Sequence, residues 1–380
     1  MTRVLLAPDK FKGTLSAAEV AGYLAGGIRA RRPDAEIVTA PVADGGDGLL
    51  DACLAAGFGF VPVDAVDALG APVRTGYARR GTDAVVELAA VCGLARLGES
   101  RAAAWAGGPR APMSATSRGA GQVVAAALDA GCTRVVLGLG GSASTDGGAG
   151  LVRALGARPL GTDGAEIGDG GRALAGVAAL DLAGLHPGLR AARIEVACDV
   201  DSPLTGPGGA AAVYGPQKGA GPGQVRALDA ALARWADVVA AATGTDHRAG
   251  PGAGAAGGAG FAAVALLGAR PRPGIQLVFD LTGFAGRLAR ADLVVTGEGS
   301  LDEQTLRGKA PAGVAAAGRG AGVPVVGVAG RCLLDEARSR AAGFGTVYSL
   351  LAEAGSEQEA MACPGPLLRR VGERIAEALR

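Results

Sequence analysis

The sequence predicts an α/β protein in which parallel sheets are covered by helices on both faces. Short segments rich in Val, Ile and Leu alternate with alanine-rich helical segments along most of the chain. Strands that are apolar without alternation are typical of parallel sheets buried on both faces. The chain has 380 residues. That is more than one typical hydrophobic core holds, so we expect two domains.

The order of elements follows from caps and apolar periodicity. Ser16 and Glu19 form the Ser-x-x-Glu pattern that starts a helix. Short β-like runs and turns fill 59–89 and leave no room for helices, so we place a domain boundary there. The predicted strands are 3–8, 36–42, 133–139, 193–199, 292–298, 323–330 and 345–351. The later predicted helices are 48–56, 117–130, 146–156, 224–243, 303–319 and 366–379.

Charge and composition exclude several classes of partner. The chain has 37 basic and 36 acidic residues, which argues against nucleic acid or a membrane surface recognised through net charge. No apolar run approaches the ~20 residues of a membrane helix. The apolar stretch at the start of the chain is too short for a signal peptide. The six cysteines form no C-x-x-C pair. We therefore expect a cytoplasmic protein with free thiols and no membrane partner.

The loops that follow the predicted strands carry most of the reactive side chains. Ligands of open α/β sheets bind beyond the carboxyl ends of the strands, so these loops are the place to look for a site. They share glycine, Asp or Glu, and hydroxyl groups or lysine. The loops are 7–16, 43–48, 138–150, 198–220 and 296–309.

The loop 138–150 has the composition of a phosphate cradle. Gly140 and Gly141 allow backbone N–H groups to approach a ligand, and the start of the next helix favours an anion. Ser142 and Ser144 add hydroxyl donors, and Asp146 either caps the helix or holds a metal ion. A tight strand-to-helix turn capped by Asp146 is the simpler alternative.

Two other phosphate-binding patterns fit less well. Gly138-x-Gly140-x-x-Ala143 matches a relaxed dinucleotide fingerprint, but no strand ending in an acid follows about 20 residues later. The only Gly-Lys pair, Gly308-Lys309, lacks the rest of a Walker A motif. The sequence therefore favours a phosphate cradle that is not of the P-loop kind.

Lysines and aspartates in the other loops suit an anionic substrate and its metal ion. Lys10 and Lys12 stand between a strand and a helix, where they can hold a carboxylate or phosphate. Asp44 and Asp199 each follow a strand, where a carboxylate can bind Mg²⁺ or accept a hydroxyl proton. Solvated lysines and turn-forming aspartates are the simpler alternatives. The glycine-rich segment 248–260 fits either a linker or a closely packed loop.

Taken together, six segments resemble the motifs of the bacterial glycerate kinase family (glycerate 2-kinase, type I), in the same order. The resemblance runs from about residue 2 to about residue 378. The segments are "APDKFKGTLSA", "ADGGDG", "GLGGSASTDGGAG", "CDV.SPL.GP.GAA.VYGPQKGA", "GAGAAGG.GFAA" and "TGEGSLDEQTLRGKAP". Asp47 and Lys10 depart from the family pattern, which has Glu and often Ser there.

The resemblance implies a fold and an activity. The fold would have two α/β domains. One is a discontinuous, flavodoxin-like, three-layer parallel sheet built from 1–62 and 285–380, and the other is an inserted mixed α/β domain over 63–284. The activity would be ATP-dependent phosphorylation of D-glycerate to 2-phosphoglycerate with Mg²⁺. ATP and D-glycerate are then the partners, and the protein is a monomer or a homodimer.

The resemblance and the loop analysis together imply a set of site residues. The expected catalytic residues are Lys12, Asp44, Asp199 and Glu298. The expected substrate- or phosphate-binding residues are Lys10, Gly140, Gly141, Ser142, Ser144, Lys218, Asp302, Thr305 and Lys309. Asp146 and Asp199 are the expected metal ligands. Which carboxylate serves as the general base is left open.

Three other functions remain compatible with these residues. A kinase for another small hydroxy acid, such as tartronate or a sugar acid, would share every loop. A dinucleotide-dependent oxidoreductase is favoured only by residues 138–143. A non-catalytic ligand sensor would keep the site, but the sequence contains no basic helix pair as an output module.

Overall fold

The computed structural model describes residues 1–97 and 111–379. Its internal contacts divide the chain into two compact units. Unit 1 consists of Met1–Asp44, Asp51–Gly57 and Pro273–Arg380. Unit 2 consists of Gly45–Leu50 and Phe58–Arg272. The expected domain division at 62/63 and 284/285 stays a prediction.

The elements are bounded as follows. The strands are β1 (Arg3–Leu6), β2 (Glu36–Thr39), β3 (Gly59–Val66), β4 (Pro72–Arg80), β5 (Asp83–Glu87), β6 (Arg134–Gly138), β7 (Arg158–Gly161), β8 (Val177–Asp181), β9 (Arg193–Ala197), β10 (Arg270–Arg272), β11 (Leu293–Leu301), β12 (Val325–Cys332) and β13 (Thr346–Ser349). The helices are α1 (Ala17–Arg31), α2 (Leu49–Ala55), α3 (Ala89–Cys92), α4 (Ala111–Ser114), α5 (Arg118–Asp129), α6 (Ala149–Ala154), α7 (Ala210–Tyr214), α8 (Pro222–Thr243), α9 (Ala255–Leu267), α10 (Gly274–Thr282), α11 (Phe284–Leu288), α12 (Ala310–Ala321), α13 (Glu336–Ala342), α14 (Leu350–Glu353), α15 (Glu357–Ala362) and α16 (Pro364–Ala378).

Unit 1 is built on a sheet of five parallel strands in the order β13-β12-β11-β1-β2. Numbered along the chain within this sheet, the order is 2-1-3-4-5, which is that of flavodoxin-like folds. The parallel sheet and the flavodoxin-like order are therefore confirmed. The direction in which successive strands are added reverses between β1 and β11. Ligands of such sheets bind at this switch point, outside the carboxyl ends of the strands.

Helices α1 and α16 pack against each other beside this sheet. The capping box at the start of α1 is confirmed, because Ser16 Oγ accepts from the Glu19 N–H and Glu19 accepts from the Ser16 N–H. The apolar positions of α1 are buried with the apolar face of α16 in the core of unit 1. The 3.6-residue period of the sequence therefore fixes which face of each helix is buried.

Unit 2 contains a mixed sheet in the order β10-β9-β6-β5-β4-β3. Strands β5, β6, β9 and β10 are parallel, whereas β3, β4 and β5 form an antiparallel meander. The meander occupies the stretch that the sequence predicts to be free of helices. The hairpin of β7 and β8 is not predicted, because both strands are short and interrupted by glycine-rich turns.

The helix expected over 303–319 begins later, at Ala310. Strand β11 continues to Leu301, and a 3₁₀ turn over Thr305–Arg307 follows it. Gly308 then adopts the left-handed region with φ 106°, which ends that turn. Pro311 stands in the first turn of α12, where its missing N–H is tolerated. Asp302, Glu303 and Lys309 therefore lie between β11 and α12 and not on a helix.

Two further expectations concern the whole chain. Within the two described ranges, no helix is both long enough and apolar enough to cross a membrane. All six cysteines are free, and Cys53, Cys92 and Cys132 are buried.

The close crossing of α1 and α16 yields a stability prediction. A Cβ at Gly27 would lie 2.0 Å from the carbonyl oxygen of Arg369, so Gly27→Ala must push the helices apart. We expect a loss of about 1–3 kcal/mol in the free energy of unfolding, measured by urea denaturation. Gly26→Ala is the matched control, because a Cβ there meets nothing within 4 Å. It should stabilise the protein by about 0.5–1 kcal/mol through helix propensity. Equal effects of the two substitutions would contradict this packing.

Candidate active site

In unit 1, Glu298 lies on β11 near the carboxyl edge of the sheet. The Thr305 hydroxyl donates to Glu298 Oε1 at 2.6 Å, and Lys309 Nζ lies 3.5 Å from Oε2. The side chain of Glu298 is 12% exposed. Burial raises the pKa of this carboxyl, while the Thr305 hydrogen bond and the Lys309 ammonium oppose the rise. The carboxylate is thus held in one orientation beside a lysine.

Asp302 and Thr305 organise the loop that carries Lys309. Asp302 Oδ1 accepts from the N–H groups of Gln304 and Thr305, which starts the 3₁₀ turn. The Asp302 N–H donates in return to Thr305 Oγ1 at 3.1 Å. Thr305 is fully buried. The visible role of this pair is to position Glu298 and Lys309, and their expected contact with substrate stays a prediction.

The loop after β1 contributes the lysines expected at the site. Lys10 is half-buried and Lys12 is exposed, on a tight turn closed by pairing of Phe11 with Leu15. The backbone N–H of Lys12 lies 3.5 Å from the position that a Cβ on Gly299 would occupy. The turn after β1 and the end of β11 are therefore adjacent, which brings two of the six motifs together.

Asp9 lies at the same edge of the sheet, and the sequence analysis did not single it out. It is 8% exposed, at the carboxyl end of β1. Its N–H donates to the carbonyl of Gly297, so it lies beside the strand position that precedes Glu298. Asp44, which follows β2, is half-buried on the other side of β1. The position of Asp9 next to a strand end is the one signal that could have identified it.

In unit 2, a buried lysine holds the glycine- and serine-rich loop after β6. Lys218 Nζ donates to Ser142 Oγ at 2.9 Å and to the Ser144 carbonyl at 2.5 Å. Lys218 is 3% exposed. Burial lowers the pKa of its ammonium group to about 7, and the charge of Asp146 opposes this shift. Lys218 therefore supports the loop from its buried side.

Asp146 is fully buried and anchors the same loop. Its Oδ2 accepts from the N–H and hydroxyl of Ser117, both at 2.8 Å, and from the Gly150 N–H at 3.2 Å. Its Oδ1 accepts from the Gly148 N–H at 3.2 Å. The N-cap of α6 is Gly148 and not Asp146, but Asp146 still accepts from N–H groups at the start of that helix, so its visible role is structural. Its expected role as a metal ligand stays a prediction that this arrangement does not favour.

The glycine end of the loop is the part that reaches the surface. Gly141 is exposed and Gly140 half-buried, whereas Ser142 and Ser144 are buried. Gly140 packs so closely on residues 45–48 that a Cβ there would lie 2.6 Å from Gly46 Cα. The expected contact of Gly140 and Gly141 with phosphate stays a prediction. The hydroxyls of Ser144 and Thr145 are buried and have no hydrogen-bond partner within the described chain.

The glycine-rich segment before α9 supports this loop as well. Ala256, Gly257 and Gly258 adopt left-handed backbone conformations in succession. A Cβ at Gly257 would lie 2.1 Å from the Ser144 carbonyl oxygen, so only glycine fits. Gly147 donates its N–H to the Gly257 carbonyl at 2.9 Å. Of the two alternatives for 248–260, close backbone packing is therefore confirmed.

Asp199 is exposed in the loop after β9. Strand β9 pairs with β6 in parallel, with Ala197 opposite Gly138. Asp199 and Gly140 are each two residues beyond these partners, so both leave the sheet at its carboxyl edge. Across residues 1–97 and 111–379, no three His, Cys, Asp or Glu side chains converge as a protein-built metal centre requires.

Comparison with known proteins identifies the family. The family model described as "Glycerate kinase family" matches residues 4–380. The chain is 40% identical over 381 positions to "Glycerate kinase" of Bacillus subtilis (strain 168), covering 100% of this chain and 98% of that protein. The chain belongs to the glycerate kinase family.

Two further relatives agree. The chain is 39% identical over 380 residues to "Glycerate 2-kinase" of Escherichia coli (strain K12), covering 99% of this chain and 98% of that protein. A crystal structure from Salmonella typhimurium LT2, described there as a candidate glycerate kinase 2, superposes with a TM-score of 0.84 at 39% identity. It covers 100% of this chain and 98% of that one. Family membership confirms the resemblance seen in the six motifs and makes this chain one of a family of phosphotransferases.

The arrangement around Lys218 predicts how stability depends on pH. Its pKa is about 7 in the folded protein and lies near 10.5 when exposed. Between pH 7 and about 10.5, Lys218 takes up a proton when the protein unfolds. Lys218 therefore makes the free energy of unfolding rise with pH. From pH 7 to 9 we expect a gain on the order of 1–3 kcal/mol in the wild type that Lys218→Met lacks.

Urea denaturation of both proteins at pH 6, 7, 8 and 9 measures this difference. All other titrating groups are common to the two proteins and cancel in the comparison. Parallel curves of unfolding free energy against pH would show that Lys218 keeps its ordinary pKa.

Proposed function

We propose that this protein transfers the γ-phosphoryl group of ATP to the 2-hydroxyl of D-glycerate, giving 2-phosphoglycerate and ADP, with Mg²⁺. The observation that carries the proposal is the identity of about 40% over the whole chain to proteins named glycerate kinase and glycerate 2-kinase. The name of the Escherichia coli relative supports the 2-hydroxyl as acceptor.

The charges of unit 1 suit a hydroxy acid. Glycerate brings a carboxylate, which needs a cation, and Lys12 and Lys309 are partly exposed near the ends of β1 and β11. Glu298 fixes Lys309 by charge, and Thr305 fixes Glu298 by a hydrogen bond. Phosphoryl transfer depends mainly on positioning and charge neutralisation, so a pre-set lysine stabilises the moving phosphoryl group.

The glycine loop of unit 2 suits the phosphates of ATP. Gly141 is exposed and Gly140 is half-buried. Gly141 adopts a left-handed conformation that favours glycine, and a Cβ at Gly140 would collide with Gly46. Lys218 holds the loop through Ser142 and Ser144 from its buried side. Its role in phosphate binding is thus to keep the cradle in shape.

The acids at the strand ends fit Mg²⁺ as kinases hold it. Mg²⁺ in such sites takes one or two carboxylates, with water and phosphate oxygens completing the octahedron. The exposed carboxylate of Asp199, beyond β9, is the one that would hold it. When bound, the ion supplies neutralising charge to the phosphates.

A kinase for a different hydroxy acid is the second candidate, and Lys10 favours it. Lys10 adds a cation next to the turn that carries Lys12. A substrate with a second carboxylate, such as tartronate, would use this charge. A substrate panel with coupled detection of ADP separates the two candidates.

The proposal predicts a specific product. Purified protein with ATP, Mg²⁺ and D-glycerate should form ADP and an equal amount of 2-phosphoglycerate. The phosphorus–proton coupling pattern in NMR distinguishes this ester from the 3-phosphate. Formation of 3-phosphoglycerate would disprove the regiochemistry. Absence of ADP formation with D-glycerate, while another acid is phosphorylated, would support the second candidate.

Glu298→Gln should lower kcat by about 10²-fold, because Lys309 loses the charge that positions it. Glu303→Gln is the matched control. Glu303 belongs to the same loop, but its exposed carboxylate pairs with Arg338 at the surface. We expect wild-type kcat within about twofold for this control, since exposed ion pairs contribute little. Steady-state kinetics with glycerate and ATP measures both, and equal kcat values would contradict the role of Glu298.

A further inference from the structure

Three carboxylates lie at the carboxyl ends of three neighbouring strands in unit 1. Asp9 follows β1, Asp44 follows β2, and Glu298 lies on β11. Hydrogen bonds fix this arrangement, because Asp9 N–H donates to the Gly297 carbonyl at 2.8 Å and Val42 N–H to the Pro8 carbonyl at 3.0 Å. Asp9 is the central acid of the three, at the switch point between β1 and β11.

The carboxyl group of Asp9 is buried but incompletely satisfied. Its Oδ1 accepts from the Lys10 N–H at 2.7 Å. No donor in the described part of the chain reaches its Oδ2, although the residue is only 8% exposed. This oxygen is not among the buried side-chain atoms that lack a partner in the described chain, so it reaches the surface. A mostly buried acid with one accessible oxygen at a switch point is suited to a ligand hydroxyl.

Glu298 differs from Asp9 in this respect. Both Glu298 oxygens have partners, Thr305 Oγ1 at 2.6 Å and Lys309 Nζ at 3.5 Å. Burial raises the pKa of Glu298, and these partners oppose the rise. Because both of its oxygens are already engaged, Glu298 is the less available of the two acids, and we assign it the task of holding Lys309.

The charges that face Asp9 keep its proton affinity high. The pKa of Asp9 is raised to about 7, mainly by burial and then by the charges of Asp44 and Glu298, while the hydrogen bond from the Lys10 N–H and the charge of Lys10 oppose the rise. A carboxyl group with a pKa near the working pH accepts a proton in a reaction and releases it afterwards. An ordinary exposed aspartate, with a pKa near 4, is a much weaker base.

We propose that Asp9 is the general base that accepts the substrate hydroxyl proton, an inference that rests on the proposed kinase function. The hydroxyl oxygen forms a bond to the γ-phosphorus while the bond to the β,γ-bridging oxygen breaks, and ADP leaves with that electron pair. The hydroxyl proton passes to Asp9 Oδ2 and is released to solvent after the product leaves. No oxidant or further reactant is needed.

Asp9→Asn tests this role, since it keeps the size and removes the base. We expect kcat to fall by about 10²–10⁴-fold. The KM for glycerate should stay within about threefold, because the lost interaction is made in the transition state. Asp34→Asn is the control, because Asp34 pairs with Arg32 in an exposed position. Circular dichroism and thermal melting confirm that each variant is folded.

The pH profile separates a base from a structural residue. Below the pKa of Asp9, about 7, wild-type kcat/KM should fall because the protonated acid cannot accept a proton. The kcat/KM of Asp9→Asn should not show the fall that protonation of Asp9 causes. The titration of ATP itself affects both profiles. Asp9→Glu restores a carboxylate and should recover part of the lost kcat together with the acid limb.

Clear outcomes overturn the proposal. Asp9→Asn with kcat within about threefold of wild type would exclude Asp9 as the base, because losing a base costs far more. An acid limb identical to that of the wild type would exclude it too. If Asp9→Asn does not fold, Asp9→Ala decides, because it also removes the carboxylate, and a kcat within about threefold of wild type in that variant would exclude Asp9 as the base. Failure of the kinase function itself is recognised separately, as a wild-type protein that consumes no ATP with glycerate.

Discussion

The site in unit 1 depends on the pairing of β1 with β11, which joins the two ends of the chain into one sheet. The Thr296 hydroxyl donates to the Ala7 carbonyl at 2.7 Å across 289 positions of sequence, in a buried environment. Gly297 is pressed against β12, where a Cβ would lie 1.7 Å from the Val328 carbonyl oxygen. These contacts leave little freedom in the backbone before Glu298. Parallel pairing thus sets Asp9 and Glu298 on neighbouring strands at a switch point, which is where ligands of such sheets bind.

A different constraint organises the loop of unit 2. Removing a cation from water is unfavourable unless hydrogen bonds and charges compensate. Lys218 is compensated by the Ser142 hydroxyl, the Ser144 carbonyl and the nearby charge of Asp146. Asp146 in turn accepts four hydrogen bonds from Ser117, Gly148 and Gly150. The two buried ionisable side chains and the loop backbone therefore hold each other in place. Buried ionic groups of this kind favour one loop conformation more than they add stability.

Sequence reasoning located the functional loops better than it assigned roles within them. Glycines and acids after apolar runs have a local signature, so loops 138–150 and 296–309 were found without a structure. The start of α12 was placed seven residues too early, since nothing local distinguishes a 3₁₀ turn closed by Asp302 from the first turn of a helix. Asp9 was missed because its burial comes from strands β2 and β11, and strand pairing leaves no mark in the sequence around residue 9. The buried position of Lys218 was missed for the same reason.

The sequence by itself determined the α/β class, the first helix with its capping box, the helix-free stretch of the second sheet and the family. Each of these depends on local patterns, because periodicity, caps and motif order are written in neighbouring residues. The tertiary structure decided the strand order, the buried support of the glycine loop by Lys218 and the pairing of Glu298 with Thr305 and Lys309. It also decided the placement of Asp9. Those features depend on contacts between distant segments, where burial and charge act through space and not along the chain.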